Sequence, residues 1–286
     1  MIINWFPGHM TKALRTMENE IKNIDCVIYV LDARAPFACL NPEFDRLIKN
    51  KAVLVIINKL DLADPEKLNG IEKKLNTIFP ENSDYLFLNS TASGASTKIL
   101  EKIEKLCAIK INKNLQKGVN ANIKVMVIGV PNCGKSTVIN NLCGKAKTIT
   151  GDKAGVTRGK QWVTVRKNIQ VLDTPGTLYP NLSNEKMARY LAYIGSIKNE
   201  ILDFNELCFE FVKDILREYP TAFQERYGIT YEISENPANE EVVEIIEQIA
   251  NARHFISKGG DIDYDRTCIM IIDDFRKKRL GNITLL

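Results

Sequence analysis

The sequence predicts an α/β fold, a mostly parallel sheet with helices on both faces, followed by a small all-helical segment. Three observations lead there. An apolar run, Val125 to Ile128, enters the glycine loop Gly129-Val-Pro-Asn-Cys-Gly-Lys-Ser136 and then a helical pattern at Thr137, Val138, Ile139 and Leu142. Further short apolar runs at 26–31 and 53–57 each stop at a polar turn, as buried parallel strands do. Residues 200–286 read as mostly helical instead, over 204–217, 223–227, 240–256 and 264–278.

The chain opens Met-Ile-Ile-Asn-Trp5-Phe6-Pro-Gly-His9-Met10. Trp5 and Phe6 suit anchors onto a core; His9 follows a Pro-Gly turn and is either displayed or packed. Leu14, Met17, Ile21 and Ile24 space as a helix over 11–23, with Lys12 and Arg15 on its basic side. The strand at 26–31 runs into Asp32-Ala-Arg-Ala-Pro36, and Pro36 and Pro42 mark a loop. A short helix near 43–49 leads to the strand at 53–57, which ends in Asn58-Lys59-Leu60-Asp61.

That N-K-x-D ending carries base-recognition chemistry. The Asp61 carboxylate accepts from the ring N–H and the exocyclic amine of guanine, Asn58 meets N7, and the Lys59 stem lies along the base. Adenine leaves these groups unpaired, at about 1–3 kcal/mol for each buried partner. Taken alone, the four residues equally suit a strand-to-helix turn. A helix over 65–78 and a strand at 85–88 follow, ending at Asn89-Ser90-Thr91-Ala92. This loop either presents a backbone N–H to the guanine carbonyl or caps the next helix, 96–109. Lys98, Lys102 and Lys105 share one face of that helix, and Lys110, Lys113, Lys117 and Lys124 continue the run. Such a stripe is a solvated face or a phosphate-backbone contact strip.

The glycine loop fits G-x-x-x-x-G-K-[ST] in the strand–loop–helix setting that a phosphate-binding loop requires. Glycines let successive N–H groups curl toward anionic oxygens, and the helix adds its positive end. Candidate nucleotide contacts are Pro131, Asn132, Cys133, Gly134, Lys135, Ser136 and Thr137, with Lys135 on the outer phosphates and the Ser136 hydroxyl on Mg²⁺. Residues 145–160 read as a mobile loop in which Thr157 is the candidate switch threonine, a second Mg²⁺ ligand. A hairpin at 162–166 and 169–172 ends in Asp173-Thr-Pro-Gly176. D-x-x-G in this place sets Asp173 near Mg²⁺ and the Gly176 N–H at the γ-phosphate.

Length 286 allows one large or two modest domains. No apolar run approaches the roughly 18 residues of a membrane span. The first residues lack the apolar segment and cleavage site of a signal peptide, so a cytoplasmic location without membrane attachment is expected. Seven scattered cysteines with no C-x-x-C pair point to reduced thiols rather than a disulfide frame or zinc site. Net charge is +4, unevenly placed: residues 1–199 hold 29 Lys and Arg against 17 Asp and Glu, and residues 200–286 hold 10 against 18. A basic first part and an acidic second part imply different partners or different faces of one partner.

The order of the motifs is unusual. N-K-x-D and Ser-Thr-Ala precede the phosphate loop, Thr157 and D-x-x-G, so the expected fold is a circularly permuted Ras-like P-loop GTPase domain. In it the lysine-rich stretch 97–124 would join the original ends. With Trp5-Phe-Pro-Gly-His-Met10, Asp32-Ala-Arg-x-Pro36 and Gly129-x-Pro-Asn-x-Gly-Lys-Ser136, the chain resembles the circularly permuted GTPases of ribosome assembly, and above all the bacterial ribosome biogenesis GTPase A group. Asn251-Ala-Arg, Gly259-Gly-Asp-Ile-Asp263, Asp274-Phe-Arg276 and Leu280-Gly281 extend the likeness to the closing segment.

The resemblance implies a domain at 1–180, a connecting helix and linker at 181–199, and a helical rRNA-contacting domain at 200–286. It implies binding of GTP and GDP with Mg²⁺ and K⁺. It implies hydrolysis coupled to late assembly of the large ribosomal subunit, contacts with that subunit and its rRNA, no DNA partner and a monomer. Thr177 stands where Ras places a water-positioning glutamine, and the family gives that role to the histidine that is His9 here. Asn132 matches the asparagine that holds K⁺ in potassium-activated GTPases, while Ala154 replaces the family's usual proline. Within the helical segment, Arg276-Lys-Lys-Arg279 is either a local basic contact or a set of cations suited to a helix end. Two other functions compete. One is a GTP-sensing rRNA- or protein-binding module whose hydrolysis is incidental. The other is a small-molecule kinase, which N-K-x-D and D-T-P-G disfavour.

Overall fold

The computed structural model describes residues 6–144, 161–180, 182, 184–232 and 236–286. Thr157, Ala154 and Trp5 lie outside them. The described strands are β1 (Cys26–Asp32), β2 (Ala52–Asn58), β3 (Ser83–Phe87), β4 (Ile123–Ile128), β5 (Gln161–Arg166) and β6 (Ile169–Asp173). They form one six-stranded sheet in the order β3-β2-β1-β4-β6-β5. Every neighbouring pair is parallel except β5 with β6. β1 and β2 are buried at every position, which explains their unbroken apolar runs: parallel strands covered on both faces have no polar side.

Register carries the motifs to one edge. Asp32 pairs with Asn58 at the last rung of β1 and β2. Val127 pairs with Asp173 where β4 approaches its loop. The strand feeding the phosphate loop, β4, thus sits centrally, separated from the N-K-x-D strand only by β1. This is the spatial order of an unpermuted nucleotide-binding sheet reached by a different path through the chain.

The described α-helices are α1 (Gly8–Glu20), α2 (Asp45–Ile48), α3 (Pro65–Leu68), α4 (Ile71–Leu75), α5 (Ala95–Leu106), α6 (Ala108–Leu115), α7 (Lys135–Cys143), α8 (Glu185–Tyr193), α9 (Phe204–Glu218), α10 (Ala222–Tyr227), α11 (Asn239–Ala252) and α12 (Tyr264–Arg276). α1 buries Met10, Ala13, Leu14 and Met17, an i, i+3, i+4, i+7 stripe. Three expected helices end differently. The helix expected over 65–78 is split by Gly70, at φ 81°. The helix expected over 96–109 breaks at Cys107, and α6 beyond it buries no residue. The helix expected to reach 256 stops at Ala252, because Ile256 is drawn into an isolated antiparallel bridge with Ile262.

In the helical part, side-chain caps start three helices. Asn184, Asp203 and Asp263 accept backbone N–H groups of the first turns of α8, α9 and α12. The interior is aromatic: Tyr193 of α8 meets Phe211 of α9 edge-on at 5.0 Å, and Phe211 meets Phe275 of α12 at 5.1 Å. The chain then folds back onto the sheet edge. The Ile283 N–H donates to Leu62 O at 3.3 Å and the Leu285 N–H to Arg34 O at 2.7 Å. No described helix is long and apolar enough to cross a membrane.

Candidate functional site

The phosphate loop joins β4 to α7 and is built on close approaches. Gly134 has φ 101°, and a Cβ there would lie 2.2 Å from Asn58 Nδ2. A Cβ on Gly176 would lie 2.7 Å from the Pro131 backbone and 2.8 Å from Lys135 Nζ. Glycine at 176 therefore lets the D-x-x-G turn touch the loop. The Thr177 N–H completes the contact, donating to Gly129 O at 3.4 Å. Lys135 is buried, and its ammonium donates to Val130 O at 2.7 Å.

Asp173, at the end of β6, lies beside Ser136, whose hydroxyl is 3.5 Å from Oδ2. The other oxygen, Oδ1, is buried without a hydrogen-bond partner among the described residues. Burial pushes the Asp173 carboxyl up to about 6 even with Lys135 and Ser136 nearby. An orphaned carboxylate oxygen next to a hydroxyl is a hard-oxygen donor set, and these two residues fit Mg²⁺.

The residues of the N-K-x-D motif meet the loop from the other side. Asn58 Nδ2 donates to Cys133 O at 2.9 Å, while Oδ1 accepts from the Ser90 N–H at 3.0 Å. Asn58 is thus a clasp between β2, the phosphate loop and the Asn89-Ser90-Thr91 turn. Asn89 Oδ1 accepts from both the N–H (2.9 Å) and the hydroxyl (2.7 Å) of Thr91, which fixes that turn. Lys59 takes a left-handed backbone (φ 61°) and donates through Nζ to Asn132 O at 2.6 Å. Asp61 is exposed in a single 3₁₀ turn, Leu60–Leu62, immediately beyond.

Four side chains to which sequence reasoning gave no role brace this arrangement: Asp32, Arg34, Asn41 and Ser196. Asp32 is fully buried; Oδ2 is 2.9 Å from Lys59 Nζ and 2.7 Å from Arg34 Nη2, and Oδ1 accepts from Arg34 Nε at 2.9 Å. Burial alone would raise the Asp32 carboxyl, but Arg34 and Lys59 outweigh it and hold the group well below the usual carboxylate range. Asn41 Nδ2 donates to Thr177 O at 3.1 Å. Asn132 Nδ2 donates to Gly195 O, and the Ser196 hydroxyl to Pro131 O, each at 2.7 Å. The D-x-R motif was the available signal for the first two groups; no local pattern announced the others.

His9 is exposed in the first turn of α1, next to Met10, whose sulfur accepts from the Leu178 N–H at 3.4 Å. Partial burial, and then Lys198, lower its pKa below the ordinary value, so the imidazole is neutral at neutral pH. Thr177 is fully buried, and its hydroxyl finds no partner among the described residues. The basic stripe is partly neutralised: Lys102 and Lys105 both pair with Asp84, and Lys110 pairs with Asp25. In the other cluster, Arg276 is a helix-end cation, Lys277 pairs with Asp273 and Arg279 with Asp274.

A family model described as a 50S ribosome-binding GTPase matches residues 124–249, beginning at the phosphate-loop strand. Ribosome biogenesis GTPase A of Bacillus cereus is 35% identical over 286 residues, covering 99% of this chain and 93% of that protein. Its counterpart in Thermotoga maritima is 30% identical, covering 99% and 93%. The crystal structure of GNP-bound YlqF from T. maritima superimposes with a TM-score of 0.64 at 24% identity, covering 96% of this chain and 97% of that one. The GDP-bound form gives 0.65. Sheet order, phosphate loop and clasped N-K-x-D define a circularly permuted P-loop GTPase, an enzyme that hydrolyses GTP. Within that class, the chain belongs to the ribosome biogenesis GTPase A family.

Proposed function

We propose that this GTP hydrolase serves late assembly of the large ribosomal subunit, binds that subunit through its rRNA, and hydrolyses GTP faster when bound to it and when K⁺ is present. The observation that carries the reading is the gathering of Asn58, Lys59, Asp61, Lys135, Ser136, Asp173 and Gly176 at one sheet edge, within a family named for ribosome biogenesis.

In this reading Asp61 accepts from the guanine ring N–H and amine, and Asn58 lends its remaining amide proton to the base. Lys135 and the loop N–H groups hold the phosphates. Ser136, Thr157 and Asp173 hold Mg²⁺, which when bound neutralises charge on the phosphate oxygens. The neutral His9 imidazole accepts a hydrogen bond from the attacking water. The new bond joins that water oxygen to the γ-phosphorus, the β–γ bridging bond breaks, and GDP and phosphate leave. The Gly176 N–H stabilises charge on the γ-phosphoryl oxygens. Asn132 Oδ1 serves as a ligand of K⁺, whose charge replaces an arginine finger.

The test is the GTP turnover rate in K⁺ and in Na⁺ buffer, each with and without immature large subunits. Faster turnover with subunits and with K⁺ is expected, the K⁺ advantage being lost on Asn132→Asp. No stimulation by subunits would favour a GTP-sensing binding module, and equal rates in the two salts would remove the K⁺ assignment.

A further inference from the structure

Gly195 lies between the phosphate loop and an arginine of the helical part. The Arg276 guanidinium, at the end of α12, donates through Nε to Tyr193 O at 2.8 Å and through Nη2 to Ala192 O at 2.7 Å. It closes the carboxyl end of α8, where carbonyls lack helical partners and the helix dipole is negative. A third nitrogen reaches Asn199 Oδ1 at 3.2 Å. Two residues beyond Tyr193, Gly195 turns with φ 79°; a Cβ there would meet Asn132 Nδ2 at 3.5 Å and the Arg276 guanidinium at 3.6 Å. Gly195 O accepts from Asn132. One short turn is therefore held by the phosphate loop on one side and by α12 on the other.

A second route leads back from α12 to the same asparagine. Arg34 Nη1 donates to Arg276 O at 3.4 Å, with the Phe275 ring 5.4 Å from its guanidinium carbon. Arg34 is bidentate on Asp32, Asp32 pairs with Lys59, and Lys59 donates to Asn132 O. Asn132 itself has φ 60°, a left-handed conformation that a non-glycine residue keeps where its surroundings hold it. Its main-chain carbonyl is held through Lys59 and its side chain through Gly195, and both routes end on Arg276.

We infer that Arg276 is a positioning residue for GTP hydrolysis, fixing Asn132 and the phosphate loop through the Ala192–Ser196 turn. It touches no substrate. Movement of α12 against α8 is thereby transmitted to the loop, and by linkage nucleotide binding changes how firmly that turn is held. The inference rests on GTP hydrolysis alone, not on the ribosomal partner.

The experiment is a double-mutant cycle on kcat and KM for GTP, using the full chain: wild type, Arg276→Gln, Asn132→Ala and the pair. Arg276→Gln should lower kcat/KM about tenfold, and in the Asn132→Ala background it should change it less than about twofold. Arg279→Gln is the stability control, because Arg279 pairs with Asp274 on the same helix without touching the turn; it should lower the melting temperature and leave kcat/KM unchanged. Hydrogen exchange at residues 192–198 should slow when GDP binds wild type, and this response should vanish in Arg276→Gln. Additive effects of the two substitutions, or an unaltered exchange response, would overturn the inference. Should Arg276→Gln not fold, Arg276→Lys, which keeps the charge but loses the fork, runs the same cycle under the same two criteria.

Discussion

The side-chain amide of Asn58 donates to the main-chain carbonyl of Cys133 at 2.9 Å, so the end of the N-K-x-D strand and the glycine loop form one mechanical piece. Asn58→Asp would turn that donor into an acceptor facing a carbonyl and remove the fit at Gly134. Affinity for GTP and GDP should fall together by about a hundredfold, as expected for a buried pair set in opposition. Asp61 lies outside the clasp, and Asp61→Asn should change base choice instead, weakening guanine and favouring xanthine, whose carbonyl replaces the amine. Titration of fluorescent GDP and XDP separates the two effects; equal loss of both nucleotides in Asp61→Asn would contradict the base-reading role.

Asp32, fully buried, neutralises two cations. Asp32→Ala leaves Arg34 buried and unpaired, and urea unfolding should show a loss of about 3–5 kcal/mol at neutral pH. The sign follows from its lowered folded-state pKa. The stability that Asp32 contributes is complete above the ordinary carboxylate range and is lost as pH falls toward the lower folded value. The gap between mutant and wild type should therefore narrow only in strong acid.

Asp173 has the opposite sign. Its carboxyl is raised to about 6, so its contribution is present in acid and is lost as pH rises through 6. In Mg²⁺-free buffer at pH 7.5, Asp173→Asn should melt several degrees above wild type, from relief of roughly 2 kcal/mol of burial strain. The same variant should lose Mg²⁺-dependent hydrolysis. A lower melting temperature would refute the account of the orphaned oxygen.

For His9→Ala, kcat should fall by about 10²–10³ while GTP affinity stays within twofold. The acid limb of the wild-type kcat profile should lie below the ordinary histidine value. Lys198→Ala should move that limb upward, since the ammonium is one of the two causes that depress it. A limb indifferent to Lys198 would detach it from His9.

Among the exposed lysines of the stripe, Lys98 and Lys113 carry no ion pair among the described residues, whereas Lys102 and Lys105 share Asp84. Replacing Lys98 and Lys113 with glutamine should flatten the salt dependence of subunit binding by about one to two units of slope, and replacing the paired lysines by less. Equal changes would mean that Asp84 does not screen its partners.

Much of the fold was legible because β1 and β2 are apolar until they stop at motif residues. The run at 26–31 and Asn58-Lys-x-Asp61 are local facts, and the motif order reveals the permutation. What stayed hidden depends on register and on distant ends. Asp32 meets Lys59 only because β1 and β2 align Asp32 with Asn58. Arg276 reads as one member of a basic run, yet it is set apart by a helix terminus more than eighty positions earlier in the chain. Within the helix expected over 65–78, the positive φ of Gly70 ends one helix and starts another.

The pairing of Cys26 with Val125 joins residues 99 positions apart at the middle of the sheet. During synthesis β1, β2 and β3 emerge first and can pair among themselves, leaving the inner edge of β1 open until β4 arrives. That strand is apolar up to Asp32 and its open edge offers unsatisfied backbone groups, the properties that invite misassociation. A protein whose family is named for building ribosomes thus depends, on leaving one, on the timely arrival of its own phosphate loop. Slowed translation between residues 60 and 120 should lower its soluble yield more than the same delay placed after residue 180.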